Sequence, residues 1–228
     1  MKRSKKYRAA QEKVQREKVY TVEEACALLA ETSTTKFDST VEVHFNLNID
    51  PKYPDQQIRT TVSLPHGSGK TKKIAAFVSD DQVDAAKKAG ADIAGGDDLI
   101  EKVAKENFVD FDVAIATPES MRKMAKIGKI LGTKGLMPNP KSGTVTTDIV
   151  ATIAEIKKGR VEFRNDPQGN VHVIGGKVSF GTEKLTENVR AVIEAIKNAR
   201  PTGVKAIYIN SVTLTSTMGP GIKVAFTQ

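Results

Sequence analysis

Residues 74–118 read IAAFVSDDQVDAAKKAGADIAGGDDLIEKVAKENFVDFDVAIATP, from Ile74 to Pro118. A compact apolar strand (Ile74–Val78) gives way to a helical stretch, Asp80 to Ala89, that Gly90 stops. The cycle then repeats, with a strand at Ala91–Ala94, a helix at Asp97–Glu106 and a strand at Val113–Ala116 that ends in Thr117-Pro118. Short apolar strands alternating with helices predict βαβ units, because parallel strands need a crossover long enough to hold a helix. The stretch therefore reads as a small doubly wound domain. Thr147 to Lys158 closes it as a helix with Ile149, Ile153 and Ile156 on one face and Gly159 at its end. The acid pairs Asp80-Asp81 and Asp97-Asp98 fall at helix starts, where the helix dipole accounts for them without chemistry.

The flanks are written in a different style. Before the block, Thr21 with Glu24 forms a capping box that opens a short amphipathic helix, with Cys26 on its apolar side as a buried small residue. Val41 to Ile49 alternates apolar and polar residues strictly, as a half-exposed strand does, and Ile58 to Leu64 reads as its neighbour. After the block, Arg160–Arg164, Val171–Ile174 and Ala206–Thr217 read as strands, and Thr182–Ala199 as a helix with Leu185, Val189, Val192, Ile193 and Ile196 in one stripe. We expect a terminal α+β two-layer domain (residues 1–67 and 160–228) interrupted by an inserted Rossmann-like three-layer α/β domain (68–159). Gly67, Gly69 and Gly159 would form the hinge.

Composition narrows the function. The 228 residues hold 39% hydrophobic residues and a net charge of +8, which favours an anionic partner, nucleic acid first. The charge is polarised: residues 1–20 carry eight cations against two acids, and residues 80–119 carry eleven acids against four lysines. A single cysteine and the lack of a long apolar run point to a cytosolic chain without a membrane span. His44, His66 and His172 are scattered without metal-ligand spacing, and there is no nucleophile elbow or zinc-protease motif, so no catalytic residue, metal or cofactor is expected. Gly67-Ser68-Gly69-Lys70-Thr71 resembles the end of a nucleotide-hydrolase phosphate loop but lacks the leading glycine, since Leu64 stands there, and is followed by a strand instead of a helix.

Lys126 to Thr144 (KIGKILGTKGLMPNPKSGT) combines Gly128, Gly132, Gly135 and Gly143 with Lys126, Lys129, Lys134 and Lys141 and has no acid. It reads as a polyanion-approaching loop whose apolar residues anchor it to a scaffold. Three further stretches suit RNA: Thr34-Thr35-Lys36-Phe37, Arg160 to Asp166, and the hydroxyl-rich Ser211 to Gly221. Their neutral donors and acceptors fit ribose hydroxyls in a wide minor groove, whereas 5% aromatic content argues against base stacking as the main mode.

Taken together, Lys36-Phe37, Val41-Glu42-Val43-His44, Arg59 to Gly67, Ala116-Thr117-Pro118, Leu131 to Thr144, Glu162 to Asp166 and Thr217-Met218-Gly219 resemble the ribosomal L-one family of the large-subunit lateral stalk. The likeness spans essentially the whole chain and departs at Thr133-Lys134, where members usually carry Pro-Arg. The resemblance implies a two-domain protein that binds large-subunit ribosomal RNA, contacts exit-site tRNA and helps its release, and represses its own operon mRNA. By the same resemblance, Lys36, Phe37, Thr40, Arg164, Asp166, Ser211, Thr215, Thr217, Met218 and Gly219 form the principal RNA surface. Arg122, Lys126, Lys129, Lys134 and Lys141 would add secondary RNA or tRNA contacts. The competing readings are a general structured-RNA chaperone and a nucleotide-binding enzyme.

Overall fold

The computed structural model describes residues 3–204 and 206–226; Lys2 of the basic run lies outside them. In chain order the elements are α1 (Lys5–Glu12), α2 (Val22–Thr32), β1 (Thr40–Leu47), β2 (Arg59–Ser63), β3 (Ile74–Phe77), α3 (Asp80–Ala89), β4 (Ile93–Gly95), α4 (Asp97–Glu106), β5 (Val113–Ala116), α5 (Pro118–Met124), α6 (Gly128–Thr133), α7 (Ile149–Lys158), β6 (Arg160–Arg164), β7 (Asn170–Lys177), α8 (Thr182–Asn198), β8 (Ile209–Ser216) and β9 (Ile222–Val224). This mixed α/β chain divides into two compact units, one running to Gly69 and resuming at Gly159, the other spanning Lys70–Lys158.

In the middle unit a parallel sheet of order β4-β3-β5 carries helices on both faces. Strand alternation splits its core in two. Ala75 and Phe77 pack with Leu99, Ile100 and Val103 of α4 and with Met124, Ile127 and Leu131. Ile74, Ala76 and Val78 pack with Ala86 of α3 and with Ile149, Ile153 and Ile156 of α7. Every residue of β3 is thus interior, which is why the strand reads as an unbroken apolar run.

The unit built from both ends of the chain holds a four-stranded sheet of order β7-β1-β8-β9 and a separate ribbon of β2 with β6, all pairs antiparallel. One face of the larger sheet (Val41, Val43, Phe45 and Leu47 of β1; Val171 and Val173 of β7; Val212 and Leu214 of β8) packs on α2 and α8. Leu185, Val189, Val192 and Ile196 of α8 are almost fully buried, each contributing about 1.5–3 kcal/mol. The capping box at α2 forms as expected: Thr21 Oγ1 accepts from Glu24 N–H and Glu24 Oε2 accepts from Thr21 N–H, both at 3.2 Å. Cys26 is fully buried.

Asn188 lies on the buried stripe of α8 and is itself fully buried. Its Nδ2 donates to the carbonyls of Gly67 (3.1 Å) and Gly175 (2.8 Å), and its Oδ1 accepts from His66 N–H (3.0 Å). One amide thereby ties α8, β7 and the segment leaving β2 together. At Gly159, φ is +110° and an added Cβ would lie 2.4 Å from Gly67 Cα, so two backbones touch where the chain leaves this unit and returns.

Three expectations need correction. Strand β2 does not neighbour β1; β1 lies between β7 and β8, and β2 pairs with β6 alone, because residues 64–159 are looped out between these two strands. Lys126–Thr144 is not a plain loop: α6 and two single-turn 3₁₀ helices, Ala125–Ile127 and Pro140–Ser142, occupy much of it. Accordingly Gly128 has helical φ (−56°), and only Gly135 and Gly143 of its four glycines take positive φ. Finally, Thr117-Pro118 opens α5, with Thr117 Oγ1 capping Ser120 N–H (3.2 Å), where the sequence suggested only a strand end.

Candidate RNA-binding surface

The face of the four-stranded sheet opposite the helices is polar. Antiparallel register sets its residues in rows: Ile174, Glu42 and Thr215; His172, His44, Thr213 and Lys223; Asn170, Asn46 and Ser211. Of the residues expected to bind RNA, Thr215 lies in the first row, and Lys36, Phe37, Thr40, Thr217, Met218 and Gly219 gather beyond it. Ser211, Arg164 and Asp166 gather at the last. The two groups are separated by about six strand positions, roughly 20 Å.

At the first end the backbone is tightly fixed. Thr40 N–H donates to Thr217 Oγ1 and Thr217 N–H to the Thr40 carbonyl, each at 3.0 Å. Gly219 N–H closes the turn onto the Ser216 carbonyl at 2.7 Å, and a Cβ on Gly219 would lie 2.3 Å from Ser216 Oγ and 3.2 Å from the Ser216 carbonyl, so a larger residue would force the Ser216 side chain to move. Met218 takes φ +64° and is 76% exposed, and Phe37 is 61% exposed. Positive φ at a non-glycine residue costs energy, so the surrounding hydrogen bonds hold this turn while it displays an apolar side chain to solvent. Thr35 Oγ1 donates to the Phe37 carbonyl (2.9 Å), holding the second exposed side chain, while Lys36 remains exposed.

At the other end Asp166 organises a turn. Its Oδ1 accepts from the N–H groups of Gln168 (2.9 Å) and Asn170 (2.7 Å), and its Oδ2 from Asn170 Nδ2 (3.1 Å). Burial pushes its carboxyl up, but these hydrogen bonds and nearby His172 outweigh it and hold the group below its ordinary value. Asp166 therefore shapes the surface, and Arg164 and Ser211 offer exposed donors beside it.

Between the ends lie groups that sequence reasoning left unassigned. His44 Nδ1 and His172 Nδ1 are 2.7 Å apart, with Glu42 3.7 Å from His44 Nε2 and Asp166 3.6 Å from His172 Nε2. Burial, reinforced by His172 and opposed by Glu42, lowers the His44 pKa. Lys177 Nζ donates to Thr40 Oγ1 (3.0 Å) and the Asp38 carbonyl (3.2 Å), adding a cation to the first end. The alternation Glu42, His44, Asn46 already marked the exposed side of β1. Lys177 was missed because β7 runs three residues further than Val171–Ile174 suggests.

In the middle unit Arg122, Lys126, Lys129, Lys134 and Lys141 are all exposed, while Ile127 and Leu131 anchor the segment in the core. Apart from their own chain neighbours and the α6 backbone, no described atom lies within 4 Å of where a Cβ on Gly132 or Gly135 would stand, and both glycines are exposed.

This surface can be set beside known proteins. Residues 29–220 match the Ribosomal protein L1p/L10e family, a span that takes in Lys36 through Gly219 and leaves α1 outside. The chain belongs to that family. Among relatives of the same family, the large ribosomal subunit protein uL1 of Chloroflexus aggregans is 58% identical over 225 residues, covering 98% of this chain and 95% of the relative. Those of Mycoplasma capricolum and Thermosipho melanesiensis are 54% and 52% identical, each over 223 residues, covering 98% of this chain and 98% and 96% of the relative. The L1p/L10e family is ribosomal and non-enzymatic. No described helix is long and apolar enough to cross a membrane.

Proposed function

We propose that this protein is a structural constituent of the large ribosomal subunit that binds large-subunit ribosomal RNA through both ends of the sheet face. The observation that carries the reading is the Thr217-Met218-Gly219 turn: locked by the Thr40 hydrogen bonds, it presents an exposed methionine on a hydroxyl-rich platform. Such a surface suits shape-specific contact with ribose and base edges in a shallow RNA minor groove. On this reading residues 1–67 and 160–228 form the RNA-binding domain and residues 68–159 an inserted domain, with Gly67, Gly69 and Gly159 as the hinge. The exposed lysines and open glycine backbone of the inserted domain would add contacts to ribosomal RNA or exit-site tRNA and help tRNA release. A structure in the protein's own operon mRNA that mimics the ribosomal site would be bound and repressed by the same surface. The protein then works on the cytoplasmic ribosome.

The division of labour has a direct test. Contacts of the rim are short and specific, whereas lysine–phosphate attraction is screened and scales with counterion release. In filter-binding titrations with large-subunit ribosomal RNA across a salt series, Thr217→Ala and Met218→Asp should weaken binding even at high salt. Lys134→Ala should mainly flatten the salt dependence. Equal losses in all three that vanish at high salt would refute the assignment.

A further inference from the structure

A groove of about 950 Å³ runs beside the Asp166 end of the surface. The ribbon supplies its floor with Arg59, Glu162 and Arg164, and its sides come from Pro51, Lys52 and Gln57 on one hand and Asn165–Pro167 on the other. The walls are set in place by the chain itself. Asn165 Oδ1 accepts from Ile58 N–H (2.8 Å) and Gln57 Nε2 donates to the Pro51 carbonyl (3.1 Å). Both acids are engaged, Glu162 with Arg59 and Asp166 within its turn. Lys52 and Arg164 have no ion-pair partner among the described residues. The groove thus combines preformed apolar surface from two prolines with two uncommitted cations, one of them a planar guanidinium.

We propose that this groove receives one unpaired nucleotide displaced from the stack of the bound RNA, with Arg164 against its base or phosphate and Lys52 on the flanking phosphate. The chemistry is that of a nucleoside monophosphate, and two sources could supply it. The groove is open along one side, so it cannot enclose a free nucleotide as small-molecule pockets do. A nucleotide tethered to RNA already held by the rim arrives at millimolar effective concentration and needs little enclosure. Unstacked RNA bases are read in this way, on guanidinium planes and exposed edges. The inference rests on the RNA-binding reading of the sheet face.

The test places Fe–EDTA on Lys52→Cys and maps hydroxyl-radical cuts in bound large-subunit ribosomal RNA. Lys52 is exposed and its side chain makes no ion pair among the described residues, while Cys26 is fully buried and does not compete for the label. Cuts should cluster around an unpaired nucleotide. Deleting that nucleotide should weaken wild-type binding about tenfold and leave a Lys52→Glu variant, already weaker, unchanged, as a double-mutant cycle requires. Cuts spread along a continuous duplex, or equal loss in both proteins on deletion, would overturn the proposal. Proton chemical shifts at Pro51, Asn165 and Pro167 with AMP alone, without any deletion effect, would assign the groove to free nucleotide and also overturn it. Met218→Asp separates the two readings: normal RNA affinity in that variant sinks the rim, whatever the cleavage map shows for the groove.

Discussion

Replacing Asn188 by alanine removes the side chain that joins α8, β7 and the segment after β2 through hydrogen bonds to Gly67, Gly175 and His66. A hydrogen bond contributes about 1 kcal/mol net, and an abandoned buried partner costs about 1–3 kcal/mol. The Gly175 carbonyl is the buried partner, whereas Gly67 and His66 can recover water in part. Summed over the three, the loss is about 3 kcal/mol. For a unit of this size each kcal/mol moves the melting temperature by roughly 3–4 °C, so the expected fall is about 10 °C. Calorimetry would measure it, and hydrogen exchange should show the His66 amide losing protection together with residues 64–67. Asn188→Asp should be at least as damaging, because it keeps the acceptor, deletes both donors and buries a charge. A melting temperature within about 2 °C of wild type for Asn188→Ala would refute the pinning role.

Asp166 has a folded pKa below its ordinary value, so its stabilisation is present above the unfolded pKa and lost as pH falls through the folded one. In urea titrations the advantage of wild type over Asp166→Asn should be full at neutral pH and fade in acid below the usual carboxylate range. His44 has a lowered pKa, so the unfolded chain takes up the proton first and stability drops as pH falls below the ordinary histidine value. NMR titration should find the His44 pKa rising in His172→Ala and falling further in Glu42→Gln. Gly159→Ala forces a Cβ to within 2.4 Å of Gly67 Cα at φ +110° and should lower the melting temperature by several degrees, read by circular dichroism. Thr21→Ala should cost about 1 kcal/mol by losing the cap of α2, measured by urea unfolding.

Much of the secondary structure was legible because local rules and tertiary packing agree. Helices α3, α4 and α8 begin where the sequence places them, and β5 and β6 span the expected residues. Gly90 adopts the left-handed conformation that stops α3. Partnership between strands was not legible. Nothing local distinguishes β2 as the neighbour of β1 from β2 as the partner of β6, since that pairing joins residues about a hundred positions apart. The lysine-rich segment misled for a related reason: its glycines suggested turns, yet Ile127 and Leu131 at helical spacing drive α6 and the preceding turn into the core. For the surface, the exposed alternation of β1 was readable, and the residues of the rim came through family resemblance. The meeting of His44 with His172, and of Lys177 with Thr40, depends on cross-strand register that no short window of sequence carries.

The contact between Gly67 and Gly159 also bears on the genetics of the chain. Because β2 and β6 form an antiparallel ribbon, residues 64–159 amount topologically to an enlarged hairpin loop. Closing so long a flexible loop costs only roughly 2–3 kcal/mol more than closing a short one. A gene in which a two- or three-residue turn replaces the whole middle unit should therefore encode a continuous, shorter protein.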